Sequence, residues 1–114
     1  MSEPAGLHIA VRTAAETEPV PPNLASALAR FGSVELEYYV PKGRDPQTPH
    51  SRDEIYVIAR GRAVLTVNGT TFECESGDVC FVAAHAEHRF SKFSDDFATW
   101  VIFYGPGGGE REAT

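Results

Sequence analysis

Cysteine is scarce, with only Cys74 and Cys80 in 114 residues. Both sit inside apolar, strand-like runs, so the simplest reading is two reduced core thiols in a cytoplasmic protein, with no disulfide framework. Basic charge is also short, at 10 Lys+Arg against 16 Asp+Glu and a net charge of −6, and no run of four basic residues occurs. An acidic surface repels phosphate backbones, which argues against a nucleic-acid partner. Long apolar runs are missing. The uncharged stretch 79–86 falls far short of the ~20 residues that a membrane-spanning helix needs, and Met1-Ser2-Glu3-Pro4 lacks the basic start and apolar run of a signal peptide. Helix signals are sparse as well. Residues 24–31 are rich in Ala and Leu, Asn23 stands before them as an N-cap and Gly32 after them as a stop, which predicts one short N-terminal helix.

What remains is strand-like. Apolar residues make up 42% of the chain, enough for one core in a single domain of this length. Residues 7–13 read as a short first strand, followed by a loop at 16–22 with three prolines. From Ser33 the texture is strands separated by turns: 34–40, 54–60, 62–67, 70–74, 79–83, 88–93 and 98–104. Asn68-Gly69 is a strong hairpin signal and Gly61 marks a tight bend. Seven to nine strands spaced this way predict an all-β sandwich or barrel. The organisation expected is an N-terminal arm at 1–32 carrying the helix, a barrel at 33–104, and a flexible glycine-rich tail at 105–114.

Four histidines are present: His8, His50, His85 and His88. His50 lies four residues before Glu54 at the entrance to a strand, so in extended backbone the two share a face. His88 opens another strand that can lie alongside. Two imidazoles and a carboxylate on one face, with positions left open, suit Fe, Zn, Ni or Mn. A histidine at a strand end is also a common hydrogen-bonded structural residue, and ligand counting alone does not decide between the two.

The frame around these residues resembles the cupin family. Its first motif runs Gly, five residues, His-x-His, three or four residues, Glu, six residues, Gly. In this chain Gly43 stands one residue off the opening position, while His50, Glu54 and Gly61 fit without a gap. The second motif runs Gly, five residues, Pro-x-Gly, two residues, His, three residues, Asn; Gly77 and His88 hold their places, with Ala83, His85 and Lys92 at the others. The resemblance covers about 33–104. It implies a double-stranded β-helix, the jelly-roll-like cupin barrel, with a divalent transition metal held by His50, Glu54 and His88. The first motif histidine falls at Thr48, which leaves Gln47 as a fourth ligand through its amide oxygen, or a loop hydrogen bond for that side chain. His85 is expected to be exposed.

Strand parity places Tyr56 and Ile58 with Glu54, Phe90 with His88, and Trp100 with Ile102 and Tyr104. Tyr56, Ile58, Phe90, Trp100 and Ile102 are therefore candidates to line a small-molecule pocket, or simply to pack a core. Tyr56 and Gln47 are the candidate proton or hydrogen-bond donors. Arg60 falls near the Gly61 bend, as a carboxylate clamp or a solvated charge; Arg89 should face away from His88, toward Asp95, Asp96 or a backbone carbonyl. Two functions follow: a metalloenzyme of the dioxygenase, isomerase or lyase type, or a non-catalytic binding or sensing module with a structural metal or none. The resemblance also implies a homodimer, with the arm free to swap across a partner.

Overall fold

The computed structural model describes residues 4–19 and 25–111. One helix, α1 (Val11–Glu16), precedes eight strands: β1 (Ala25–Phe31), β2 (Val34–Tyr39), β3 (Asp53–Arg60), β4 (Arg62–Val67), β5 (Thr70–Glu75), β6 (Val79–Val82), β7 (His88–Ser91) and β8 (Ala98–Tyr104). They form a five-stranded sheet in the order β1-β2-β8-β3-β6 and a three-stranded sheet in the order β5-β4-β7, with antiparallel pairing throughout. This is the all-β, two-sheet architecture expected.

The helix lies elsewhere than expected. Residues 25–31 pair antiparallel with β2, from Ala25 opposite Tyr39 to Phe31 opposite Val34, around a bulge between Ala27 and Ala29. An eight-residue helix is marginal by itself. Joining a sheet edge through the Gly32-Ser33 turn satisfies the same backbone groups and outweighs the Ala/Leu propensity. Asn23 and Leu24, the cap and first residue of the expected helix, lie outside the described residues. Conversely, part of the strand expected at 7–13 is helical. It places Ala14 under the sheet, buried with Tyr38 and Ala98 and backed by Ile9, Leu28 and Trp100.

Register fixes which side chains face the barrel interior. Three rows cross from β2 through β8 to β3: Glu35–Phe103–Glu54, Glu37–Val101–Tyr56 and Tyr39–Thr99–Ile58. The main core forms between the sheets on this side, where Tyr56, Ile58, Leu65, Val82, Phe90, Phe97 and Val101 are all at most 2% exposed. Each such aliphatic or aromatic side chain contributes about 1.5–3 kcal/mol on burial. The rows on the opposite face are Leu36–Ile102–Ile55 and Tyr38–Trp100–Val57, and the second cluster includes Tyr38 and Trp100.

Two bends need particular backbone. Gly61 has φ 71°, and a Cβ there would come within 2.6 Å of Asp96 Oδ1 and 3.0 Å of Phe97 Cα, so only glycine fits between β3 and β4. At His85 the chain takes φ 68° without glycine, at a steric cost of about 1–2 kcal/mol. Residues 105–111 fold back on the barrel: Gly105 N–H donates to Ser33 Oγ, Gly108 N–H to the Ser51 carbonyl and Glu110 N–H to Asp53 Oδ2. No helix among the described residues is long and apolar enough to cross a membrane.

Candidate metal centre

The loop before β3 and the loop before β7 are laced together. His85 N–H donates to the His50 carbonyl at 2.6 Å, and Ala84 N–H donates to the buried Asp53 carboxylate at 2.9 Å. These bonds bring His88 beside His50, with ring centroids 4.7 Å apart, and Phe103 packs against the other side of the His50 ring at 4.8 Å.

The three side chains converge on one point. His50 Nε2 lies 3.0 Å and His88 Nε2 3.4 Å from Glu54 Oε1, and all three groups offer ligand atoms within 4.8 Å of one another. His50 Nδ1 lies 3.2 Å from the Arg52 carbonyl and His88 Nδ1 3.0 Å from the Ala86 carbonyl. A carbonyl only accepts, so each Nδ1 donates and Nε2 is the ring atom directed at the centre; His50 Nε2 there donates to Glu54 Oε1 and would give up that proton on binding a metal. Glu54 is fully buried, and neither its Oε2 nor His88 Nε2 has a hydrogen-bond partner. Leaving buried polar atoms unpaired is costly. A cation among the three side chains would satisfy both atoms, so this donor set fits a divalent metal.

Burial opposes charge on His50, but its hydrogen bond to Glu54 and the Glu54 charge outweigh that, and its pKa is raised. Burial pushes the Tyr56 phenol well above its ordinary value, helped by the nearby Glu54 charge, so its hydroxyl stays protonated. That hydroxyl donates to Gln47 Oε1 at 3.0 Å, and Gln47 Nε2 donates to Asp45 Oδ2 at 2.8 Å. Both ends of the Gln47 amide are thus engaged. Asp45 is buried and also accepts from the Tyr39 hydroxyl at 2.7 Å and Phe90 N–H at 2.8 Å, which pins the loop to β7.

A cleft of about 280 Å³ opens onto His50 and Glu54, walled by Glu35, Glu37, Tyr39, Val101 and Phe103. A second, of about 440 Å³, reaches His88 from the side of Thr66, Asn68 and Arg89; residues 47–49 line both. Among the aromatic and aliphatic pocket candidates, Tyr56, Ile58 and Phe90 belong to the core between the sheets. Trp100 and Ile102 do not face this interior. Val101 and Phe103 take their place, because the register turns Trp100 and Ile102 to the outer face of β8, where the second cluster packs against Trp100. His85, Arg60 and Arg89 are exposed, and Arg60 lines neither cleft.

Sequence reasoning missed Glu37, Asp45 and Phe103. For Glu37 the signal was present, in the alternation of Glu35, Glu37 and Tyr39 along one face of β2. Burial raises the Glu37 pKa, with the Glu35 and Glu54 charges adding to it and His50 and Arg30 opposing. A carboxyl whose folded pKa exceeds its unfolded one favours the folded state below the unfolded value and loses that contribution as pH rises through the folded one. Glu37→Gln is therefore expected to raise the thermal midpoint of metal-free protein at pH 7 and to leave it unchanged at pH 4. Equal shifts at both pH values in thermal melts would contradict this.

A family profile described as Cupin domain matches residues 35–104. The chain is a cupin. Its sequence is 39% identical over 62 residues to an uncharacterised Streptomyces coelicolor protein, covering 54% of this chain and 59% of that one. It is also 34% identical over 73 residues to the HTH-type transcriptional activator RhaS of Yersinia pestis, covering 64% of this chain and 27% of the activator. The cupin thus spans little more than half the length of the first relative and about a quarter of the second. Among solved structures, a Ralstonia eutropha protein named as a candidate mannose-6-phosphate isomerase superposes with TM-score 0.64 at 19% identity, over 81% of this chain and 94% of that one. At that identity the likeness is one of fold.

Proposed function

We propose that this cupin binds one divalent transition metal through His50, Glu54 and His88 and acts on a small molecule as a metalloenzyme of the isomerase, lyase or dioxygenase type. The observation that carries this reading is the pair of buried, unpartnered atoms, Glu54 Oε2 and His88 Nε2, in a cluster where the Nδ1–carbonyl bonds of both histidines turn Nε2 toward the same carboxylate. Such a metal would polarise a substrate oxygen or activate bound water or dioxygen. The chain's own residues do the rest. The Ala86 and Arg52 carbonyls orient the imidazoles. Phe103 and Val101 supply an apolar wall that limits water around the bound molecule. Tyr56, kept protonated, donates its one hydroxyl proton to Gln47 and so fixes the loop that lines both clefts. Three protein ligands leave positions open, as catalysis requires; a structural site is closed by four.

The match to RhaS favours a second reading, in which the barrel senses a small molecule without transforming it. Cobalt-loaded protein separates an open from a closed site. Addition of azide is expected to change the visible d–d absorption, because the anion takes an open position. An unchanged spectrum on fully loaded protein would mean a closed, structural site and would support the sensing module.

A further inference from the structure

The cleft leading to His50 and Glu54 carries an unusual balance of charge. None of its described lining residues is Lys or Arg. Glu35 is already neutralised, with Arg30 at 3.1 Å and Arg52 at 2.9 Å from its Oε1. Arg52 is spent on that pair, on the Ser33 carbonyl and on the Phe103 ring 5.9 Å away. Glu37 is different. It stands on the interior face of β2, in the row of Val101 and Tyr56, and its carboxylate makes no hydrogen bond or ion pair among the described residues. Its oxygens are not among the buried unpaired atoms, so they face the cleft and are free to receive a donor from whatever enters it. Its oxygens are acceptors only. It is also outside the group of ligand atoms within 4.8 Å, which comprises His50, Glu54 and His88.

We infer that Glu37 sets the substrate class: a small molecule that gives an oxygen to the metal and turns a hydrogen-bond donor, a hydroxyl or an ammonium, toward this carboxylate. Dianions are disfavoured, because no Lys or Arg among the described lining residues receives their second charge and Glu37 repels it. This inference rests on the proposed metal site and adds the far end of the ligand to it. A donor placed on a carboxylate forms a charge-assisted bond, whereas a second carboxylate in the same place meets repulsion in a medium less screened than water.

The test compares two probes of equal length, 4-aminobutyrate and glutarate, titrated into cobalt-loaded protein and read by the visible spectrum. Wild type is expected to bind 4-aminobutyrate about tenfold or more tightly than glutarate, the scale of one hydrogen bond to a charged group. Glu37→Gln, which keeps the shape, and Glu37→Ala should bring the two affinities within about twofold of each other, with cobalt content unchanged. A wild-type protein that binds azide but shows no preference for 4-aminobutyrate overturns the inference, as does a preference that persists in both variants. Protein that takes up no cobalt overturns the metal reading, and this inference falls with it; the cobalt content of each sample tells the two failures apart.

Discussion

Glu54→Gln is expected to lower the affinity for a divalent metal by about two orders of magnitude or more, since loss even of a side chain that only supports a ligand costs 10–100-fold. Glu54 Oε1 is the atom nearest both histidine Nε2 atoms, and Oε2 is buried and unpaired beside it. A neutral amide keeps the size of the side chain but removes the anionic donor. In metal-free protein the change should be mild, because it removes a buried charge whose Oε2 is unpaired, and the partly exposed His50 can release its proton instead of being left as an unpaired cation. The measurement is competition with a chromophoric chelator, run beside Glu35→Gln. Glu35 is ion-paired near the rim of the same cleft and is not among the three ligands, so that variant should retain wild-type affinity. Equal affinity for Glu54→Gln and wild type would remove Glu54 from the site.

Metal should also stabilise the fold strongly. A ligand that binds only the folded state at a thousandfold excess over its dissociation constant contributes about 4 kcal/mol. For a domain of about 100 residues, 1 kcal/mol moves the thermal midpoint by about 4–8 °C, so saturating metal is expected to raise it by about 15 °C or more. The site's position explains the size of the effect. His50, Glu54 and His88 join the entrance of β3 in one sheet to β7 in the other, and a metal there ties both sheets together. A chelator should reverse the shift, and His88→Ala should show little of it. A melting curve indifferent to both metal and chelator would contradict a bound metal at this place.

The spacing His50-x3-Glu54, Gly61, Gly77 and His88 carried the site, because a motif fixes side chains whose positions depend on local strand geometry and two tight bends. The turn at Asn68-Gly69 and the strands from 34 onward were legible for the same reason, as alternation and turn chemistry act over a few residues. The N-terminal segments were not. Residues 25–31 have helical composition and become a strand because β2 offers an edge, a partner that no local pattern reveals. The face of β8 was misassigned by the opposite route. Trp100 and Ile102 look like interior residues, yet the register puts both on the outer face, where a second cluster around Ala14 and Tyr38 covers Trp100. In β2 the ordinary amphipathic reading is inverted: the polar residues Glu35 and Glu37 face the cleft, while Leu36 and Tyr38 face the other way. Polar residues turned inward on this strand line a cleft where the neighbouring rows build a core.

The central claim is that His50, Glu54 and His88 together hold a metal. Elemental analysis of untagged wild-type protein, beside Glu54→Ala and His88→Ala and without a chelator at any step, tests it most directly. Close to one divalent transition metal per chain is expected in wild type and almost none in either variant. Wild-type protein that carries none and takes up neither Fe(II), Mn(II), Ni(II) nor Zn(II) would contradict it.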